Sequence, residues 1–235
     1  MTNFEYIFKD KSIIHALITK PSVNSKIGLG YVMMTYHFSV DQVEKIDISL
    51  DKKNCRDCPL SYSNNRGQSG GCYTHKGVQR FGIIVMMKRL NKLQKQGLIK
   101  EFDSEAFDGY VKMSRTINPQ LLRLGAYGEP VLLNANVIEK LTACAKTYTG
   151  YTHMWGVKKY NQHNRFIMAS THSHEETKKA NKRGFRAFQT GVTSSIKMPV
   201  CPASKEFKGY RKTCIECASC NGNVKRTNNI FIKMH

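Results

Sequence analysis

Long apolar runs are missing from this sequence. None approaches the about 18 residues that a helix needs to cross a bilayer, so no membrane-spanning helix is expected. The opening stretch, MTNFEYIFKDKSIIHALITK, is interrupted by charges every few positions and does not read as a signal peptide. These two absences make a cytoplasmic location the expectation. Internal repeats and clear linkers are absent as well. Six prolines and 17 glycines in 235 residues exclude a collagen-like or low-complexity chain. Acidic residues are scarce: 17 Asp and Glu stand against 37 Lys and Arg, a formal net charge of +20. Such a surface attracts polyanions, so nucleic acid is the expected partner, and no membrane is.

What remains is a chain long enough for one domain with a real core. Residues 1–28 read as an irregular or short helical lead-in, 29–200 as an α/β domain, and 201–235 as a cysteine-rich tail packed on it. Tyr31–Val40 is β-branched and aromatic, as a first strand is. The 54–77 segment, rich in Gly, Ser and Asn, is a loop carrying the first cysteines. Val78–Gly97 has helical apolar spacing with Gly97 as its C-cap. A helix capped by Ser104 ends before Asn118-Pro119. Leu121–Leu124 is a short strand, and Asn134 or Asn136 caps a helix to about Lys146. Strands follow at Tyr151–Trp155, Arg165–Ser170, Phe185–Gln189 and Ser195–Val200, with a charged helix, Glu175–Arg183, closed by Gly184. This alternation predicts a parallel sheet forming a partial or closed (βα) barrel-like fold with cysteine-rich metal-binding loops. In such folds sites gather at the C-terminal ends of the strands.

Seven of the eight cysteines fall into two groups. Cys55, Cys58 and Cys72 lie in NCRDCPL and GGCYTHKG; Cys201, Cys214, Cys217 and Cys220 lie in CPAS and TCIECASC. A CxxC turn lets two thiolates converge on one metal, and further cysteines close the shell. The CIECASC spacing is typical of iron–sulfur sites. Arg56, Arg211 and Lys212 stand beside these cysteines and favour their thiolate form. Four ligands saturate a [4Fe-4S] cluster or a structural Zn, whereas three leave a coordination position open for a substrate or cofactor. One or two clusters are therefore expected, with Zn as the alternative. His75 is an optional fourth zinc ligand, and Cys144, in an apolar helix, is a core residue.

LRLGAYGEPVLL runs a strand into Gly128-Glu129-Pro130. The order of strand, Cys55/Cys58/Cys72 loop with Tyr73, helix, strand and Gly-Glu-Pro resembles radical S-adenosylmethionine (radical SAM) enzymes. The resemblance implies that the cysteine loop holds an open cluster, that Gly128, Glu129 and Pro130 bind S-adenosylmethionine, and that the second cluster is auxiliary. The loop departs from that family's usual CxxxCxxC. Across Cys55 to Cys220 the chain also resembles phage- and plasmid-encoded proteins of unknown function with CxxC…CY, GAYG(D/E)P, TGYTH and CPAS…CxxCxxC segments. That likeness implies a mobile-element origin and, for a phage, a host cytoplasm.

In GYTHMW, Tyr151, His153 and Trp155 share one side of a strand by the period of two. They either pack in the core or, for His153 and Trp155, line a pocket and stack on a base or adenine ring. THSHEE carries His172 and His174, the His-x-His of a rolling-circle nickase with Tyr160 or Tyr210 as nucleophile; a helix start rich in Ser, His and Glu accounts for it better. Lys178, Lys179, Lys182 and Arg183 form a basic helical face, solvated or touching phosphate. The leading expectation is an iron–sulfur protein, radical SAM-like, acting on nucleic acid or nucleotide. The competing one is a non-enzymatic nucleic-acid-binding protein whose zinc or iron–sulfur centres staple its loops.

Overall fold

Strand and helix alternate through most of the chain, and each strand adds to one sheet. The computed structural model describes residues 5–11, 13–18, 30–36, 48–61, 64, 72, 77–115, 121–192, 198–223 and 228–233. The strands are β1 (Glu5–Asp10), β2 (Ile13–Ile18), β3 (Gly30–Tyr36), β4 (Lys100–Glu101), β5 (Leu121–Tyr127), β6 (Thr147–Thr152), β7 (Met168–Thr171), β8 (Ala187–Gly191) and β9 (Ile230–Lys233). The helices are α1 (Ile48–Cys55), α2 (Gly77–Lys95), α3 (Ser104–Arg115), α4 (Ala135–Ala143), α5 (His174–Lys182) and the single turn α6 (Cys214–Cys217).

The sheet order is β4-β1-β2-β3-β5-β6-β7-β8-β9. From β3 to β9 every neighbouring pair is parallel, and β2 alone runs against the rest. Among the described residues nothing pairs β9 with β4, so the α/β sheet is open and the closed-barrel alternative is corrected. The N-terminal stretch is corrected too: it holds the antiparallel β1–β2 hairpin, with Glu5 opposite Ile18 and Asp10 opposite Ile13, where an irregular or helical lead-in was expected. Tertiary pairing fixes these short strands, since neither carries a long periodic signal. The expected Ser195–Val200 strand lies partly outside the described residues; Val200 makes one parallel bridge to Phe231.

The helices follow their local signals. Ile83, Met87 and Leu90 of α2 recur at helical spacing and pack with Ile99, Tyr127 and Cys55. Gly97, at φ 68°, closes α2 as expected. The α3 cap is Asp103, whose carboxylate accepts the Ala106 N–H at 2.8 Å, one residue before the Ser104 expected from sequence. Asn134 caps α4 and Ser173 caps α5, each accepting a backbone N–H in the first turn. Ile138 and Leu141 of α4 join Leu122 and Leu124 of β5, Phe107 of α3 and Ile167 in the largest core cluster.

After β9's neighbours are set, residues 220–223 thread past the beginnings of β7 and β8. Gly222 sits there at φ 72°, and a Cβ on it would fall 2.3 Å from the Arg165 carbonyl oxygen. The Arg186 guanidinium, 3% exposed, donates to the Gly222 carbonyl at 2.7 Å and to that of Asn228 at 2.7 Å. Gly222→Ala is therefore expected to destabilise the fold by about 3 kcal/mol, from left-handed strain plus the backbone clash. A chemical denaturation midpoint equal to wild type would contradict this.

Candidate functional site

The GAYGEP segment is a device for ending β5. Between Val32↔Arg123 and Met34↔Tyr127, β5 spends four residues against two on β3, a bulge centred on Gly125 at φ 66°. A Cβ on Gly125 would lie 2.7 Å from the Pro130 ring, so glycine and proline fit as a pair. Gly128, at φ 75°, then reverses the chain and delivers Glu129 back under the sheet end. Pro130 begins a short 3-10 turn, Pro130–Leu132.

Glu129 is 3% exposed, and both carboxylate oxygens are engaged. One accepts the Thr152 hydroxyl at 2.5 Å. The other accepts the His153 backbone N–H at 3.1 Å and faces His153 Nδ1 at 3.4 Å. The Glu129 N–H donates to the Asn54 carbonyl at 2.9 Å, and the Asn54 amide donates to the Tyr127 hydroxyl at 3.2 Å. Through Asn54, the residue before Cys55, the first cysteine turn is bolted to the end of β5.

His153 Nε2 lies 3.8 Å from Cys58 Sγ. Burial alone would lower the His153 pKa, but hydrogen bonds and charge from Cys58 and Glu129 outweigh it and carry it to about 10. Its ring stacks on His172 at 5.4 Å, 7° from parallel. His172 is held below the usual histidine pKa, first by burial and then by the charge of His153. Its Nδ1 meets the Thr190 hydroxyl at 2.7 Å, while its buried Nε2 has no hydrogen-bond partner among the described residues. Cys58, Glu129, His153 and His172 thus line the C-terminal ends of β5, β6 and β7, as the alternating fold predicts.

Cys55 is 8% exposed and ends α1, where a loop was expected; Arg56, at φ 48°, closes the helix and lets the Cys58 N–H reach the Cys55 carbonyl at 3.0 Å. The Cys72 N–H donates to the Leu60 carbonyl at 2.7 Å, which brings the third cysteine's backbone to the same turn. Tyr73 and His75 lie outside the described residues. Cys144 caps α4, and its thiol donates to Asp108 at 3.0 Å.

The other cysteines lie elsewhere. By strand register, Tyr151, Met168, Phe188 and Ile230 share one face of the sheet. Cys220 and Cys201 pack on that face against these four side chains. The Cys201 N–H donates to the Phe231 carbonyl at 2.8 Å, and the Gly150 N–H to the Cys220 carbonyl at 3.1 Å. Thr213 and Glu216 form a capping box on α6, and left-handed Ala218 turns Cys220 inward. Burial first, and then the charges of Cys201, Cys214 and Cys217, push the Cys220 thiol up to about 12; the Tyr151 hydrogen bond opposes this. Cys220 is therefore the electrostatic neighbour of the other three C-terminal thiols. This group covers a sheet face and does not join the strand-end rim, contrary to the expectation of a single gathering.

The GYTHMW expectation is also corrected. β6 stops at Thr152, because Glu129 holds both the Thr152 hydroxyl and the His153 N–H, and Met154–Gly156 is a 3-10 turn. Tyr151 points to the cysteine face, His153 to Cys58, and Trp155 to Ala169, Ala180 and Phe185, its indole N–H bonded to the Ser170 carbonyl at 3.0 Å. Trp155 is thus a packing residue of the α5 side, not a partner of His153. His172 and His174 follow β7 and open α5. The partners of His172 are His153, Glu176 and Thr190, with neither Tyr160 nor Tyr210 among them. The nickase arrangement is absent from the described residues.

The donor sets can be tested for fit. Among the described residues no three His, Cys, Asp or Glu side chains already stand in coordinating geometry. By chemistry alone, four cysteines are the donor set that a thiophilic centre takes. The strand-end cysteines share one backbone turn and suit the same class. Glu129 does not suit an incoming amino group, because it is buried and both its oxygens already bond inside the fold. Comparison with protein-family models, with curated proteins and with solved structures finds no match.

Thr152→Val removes one donor from a buried carboxylate and is expected to cost about 1–3 kcal/mol. Thr152→Ser keeps the hydroxyl and should recover most of it in urea denaturation. Equal losses in the two variants would contradict the assignment.

Proposed function

We propose that this chain is an iron–sulfur protein acting on nucleic acid or nucleotide. Cys201, Cys214, Cys217 and Cys220 hold a closed centre that fastens the C-terminal tail to the sheet. Cys55, Cys58 and Cys72 hold a second centre with an open position at the strand ends. The observation that carries this reading is the joining of the CxxC turn, through Asn54–Glu129 and Cys58–His153, to the C-terminal rim of a parallel sheet.

A bound cluster supplies one-electron chemistry. The chain's own residues set its surroundings. His153 places a positive charge beside the Cys58 sulfur, and Glu129 holds that imidazole in place. Ile83, Met87 and Tyr127 keep water from Cys55. The order of cysteine turn, helix, strand and Gly-Glu-Pro favours a radical SAM-like form of this chemistry. Glu129, however, is buried and bonded within the fold, not presented to S-adenosylmethionine. That engagement favours the second reading, a nucleic-acid-binding protein whose centres, zinc included, staple its loops.

Anaerobic purification with iron, sulfide and zinc analysis separates the two. The expected outcome is iron with matching sulfide and the visible absorption of a cluster; stoichiometric zinc without that absorption would leave only the second reading. Cys217→Ala is expected to lose the closed centre and Cys72→Ala the open one, each removing its own share of the iron. Cleavage of S-adenosylmethionine by reduced wild type and not by Cys72→Ala would establish the radical form. No cleavage by iron-loaded wild type would eliminate it.

A further inference from the structure

Beside the Pro130–Leu132 turn the fold leaves a cavity of about 320 Å³. Its walls include Lys11 from the β1–β2 turn, Arg56 from the first cysteine turn, and Lys159 and Tyr160 from the 3-10 segment after β6. Three cations face one acid, Asp10, whose carboxylate also accepts the Asn134 N–H at 2.6 Å, so the walls carry a net positive charge. The Asn134 and Gln162 amides add neutral polar groups, and Asn134 caps α4, whose positive dipole end abuts the space.

Three further observations point to an anion here. The Arg56 Nε is buried with no hydrogen-bond partner, an uncommon state for a guanidinium. Only three non-glycine residues among those described have a positive φ, and two of them, Lys11 at 59° and Arg56 at 48°, line this one cavity. A left-handed lysine or arginine costs roughly 1–2 kcal/mol where glycine would cost nothing, so the side chain is what the position keeps. Finally, the three cations arrive from distant parts of the chain, and among the described walls Asp10 offsets only one of them.

We infer that this cavity binds the phosphate group of a nucleotide, free or within a nucleic-acid strand, with Lys11, Arg56 and Lys159 as its counter-charges. The volume falls at the small end of ligand sites and suits one nucleotide unit. Because Arg56 lies between Cys55 and Cys58, a phosphate held there is tethered beside the strand-end cysteines. The inference rests on the nucleic-acid half of the proposed function and needs no particular metal.

The test uses the full chain as purified, with its metal content measured in parallel. A fluorescent single-stranded oligonucleotide is titrated, with inorganic phosphate and a mononucleotide as competitors. Lys11→Gln/Lys159→Gln is expected to weaken oligonucleotide binding at least tenfold and to reduce the salt slope by about 1.4, the value for two lost phosphate contacts on a single strand. Lys92→Gln/Lys95→Gln, removing equal charge from exposed α2 positions, is expected to weaken it no more than about twofold, since distant surface charges are screened. Competition by the mononucleotide in wild type identifies a free nucleotide as ligand; binding of the oligonucleotide without such competition identifies the strand. Equal losses in the two double variants, or no binding of any phosphate probe by wild type, would overturn the inference. Metal analysis of the same samples reports separately on the cluster. Arg56→Lys, which keeps the charge, is expected to retain binding; its loss together with unchanged metal would show that the planar guanidinium is required.

Discussion

Glu129 lies 3% exposed with both carboxylate oxygens hydrogen-bonded, and the strand-end half of the protein is arranged around it. A carboxylate in such a place is tolerable only when fully bonded. Its carboxylate partners are Thr152 at the end of β6 and His153 just beyond, while its backbone N–H donates to the Asn54 carbonyl beside the cysteine turn. Satisfying the carboxylate therefore ends β6 and turns the His153 ring toward Cys58, and the backbone bond of the same residue fixes the cysteine turn on β5. The glycines of GAYGEP serve the same end, since only a bulge and a left-handed reversal return the side chain to the sheet.

The two cysteine groups meet different physical conditions. On the rim, Cys58 faces an imidazole whose positive charge is supported by Glu129. On the sheet face, burial and then the charges of Cys201, Cys214 and Cys217 hold the Cys220 thiol above its usual range, against the Tyr151 hydrogen bond. The basic composition adds a third condition. Lys11, Arg56 and Lys159 converge on one cavity because a hairpin turn, a helix end and a 3-10 segment meet there.

Local signals made α2, α4 and α5 legible, with Gly97, Asn134, Ser173 and Gly184 marking ends that the structure keeps. β1, β2 and β9 were not legible as strands. They are four to six residues long, and pairing within the sheet, not their own pattern, selects them. His153 and Trp155 were placed together by the period of two, and the turn imposed by Glu129 separates them onto different sides. Arg56 carried no signal beyond its charge, because a left-handed arginine is invisible until the helix end is built.

The sequence by itself determined the chemistry available: clustered thiols, a Gly-Glu-Pro turn after a strand, an excess of positive charge and an alternating α/β order. These are composition and spacing, which tertiary contacts do not alter. Only the tertiary structure decided that the cysteines divide between a rim and a face, that Glu129 spends its charge on Thr152 and His153, and that three distant cations enclose one space. Each of those outcomes depends on which residues burial brings together across long stretches of chain, and burial is settled by the whole sheet at once.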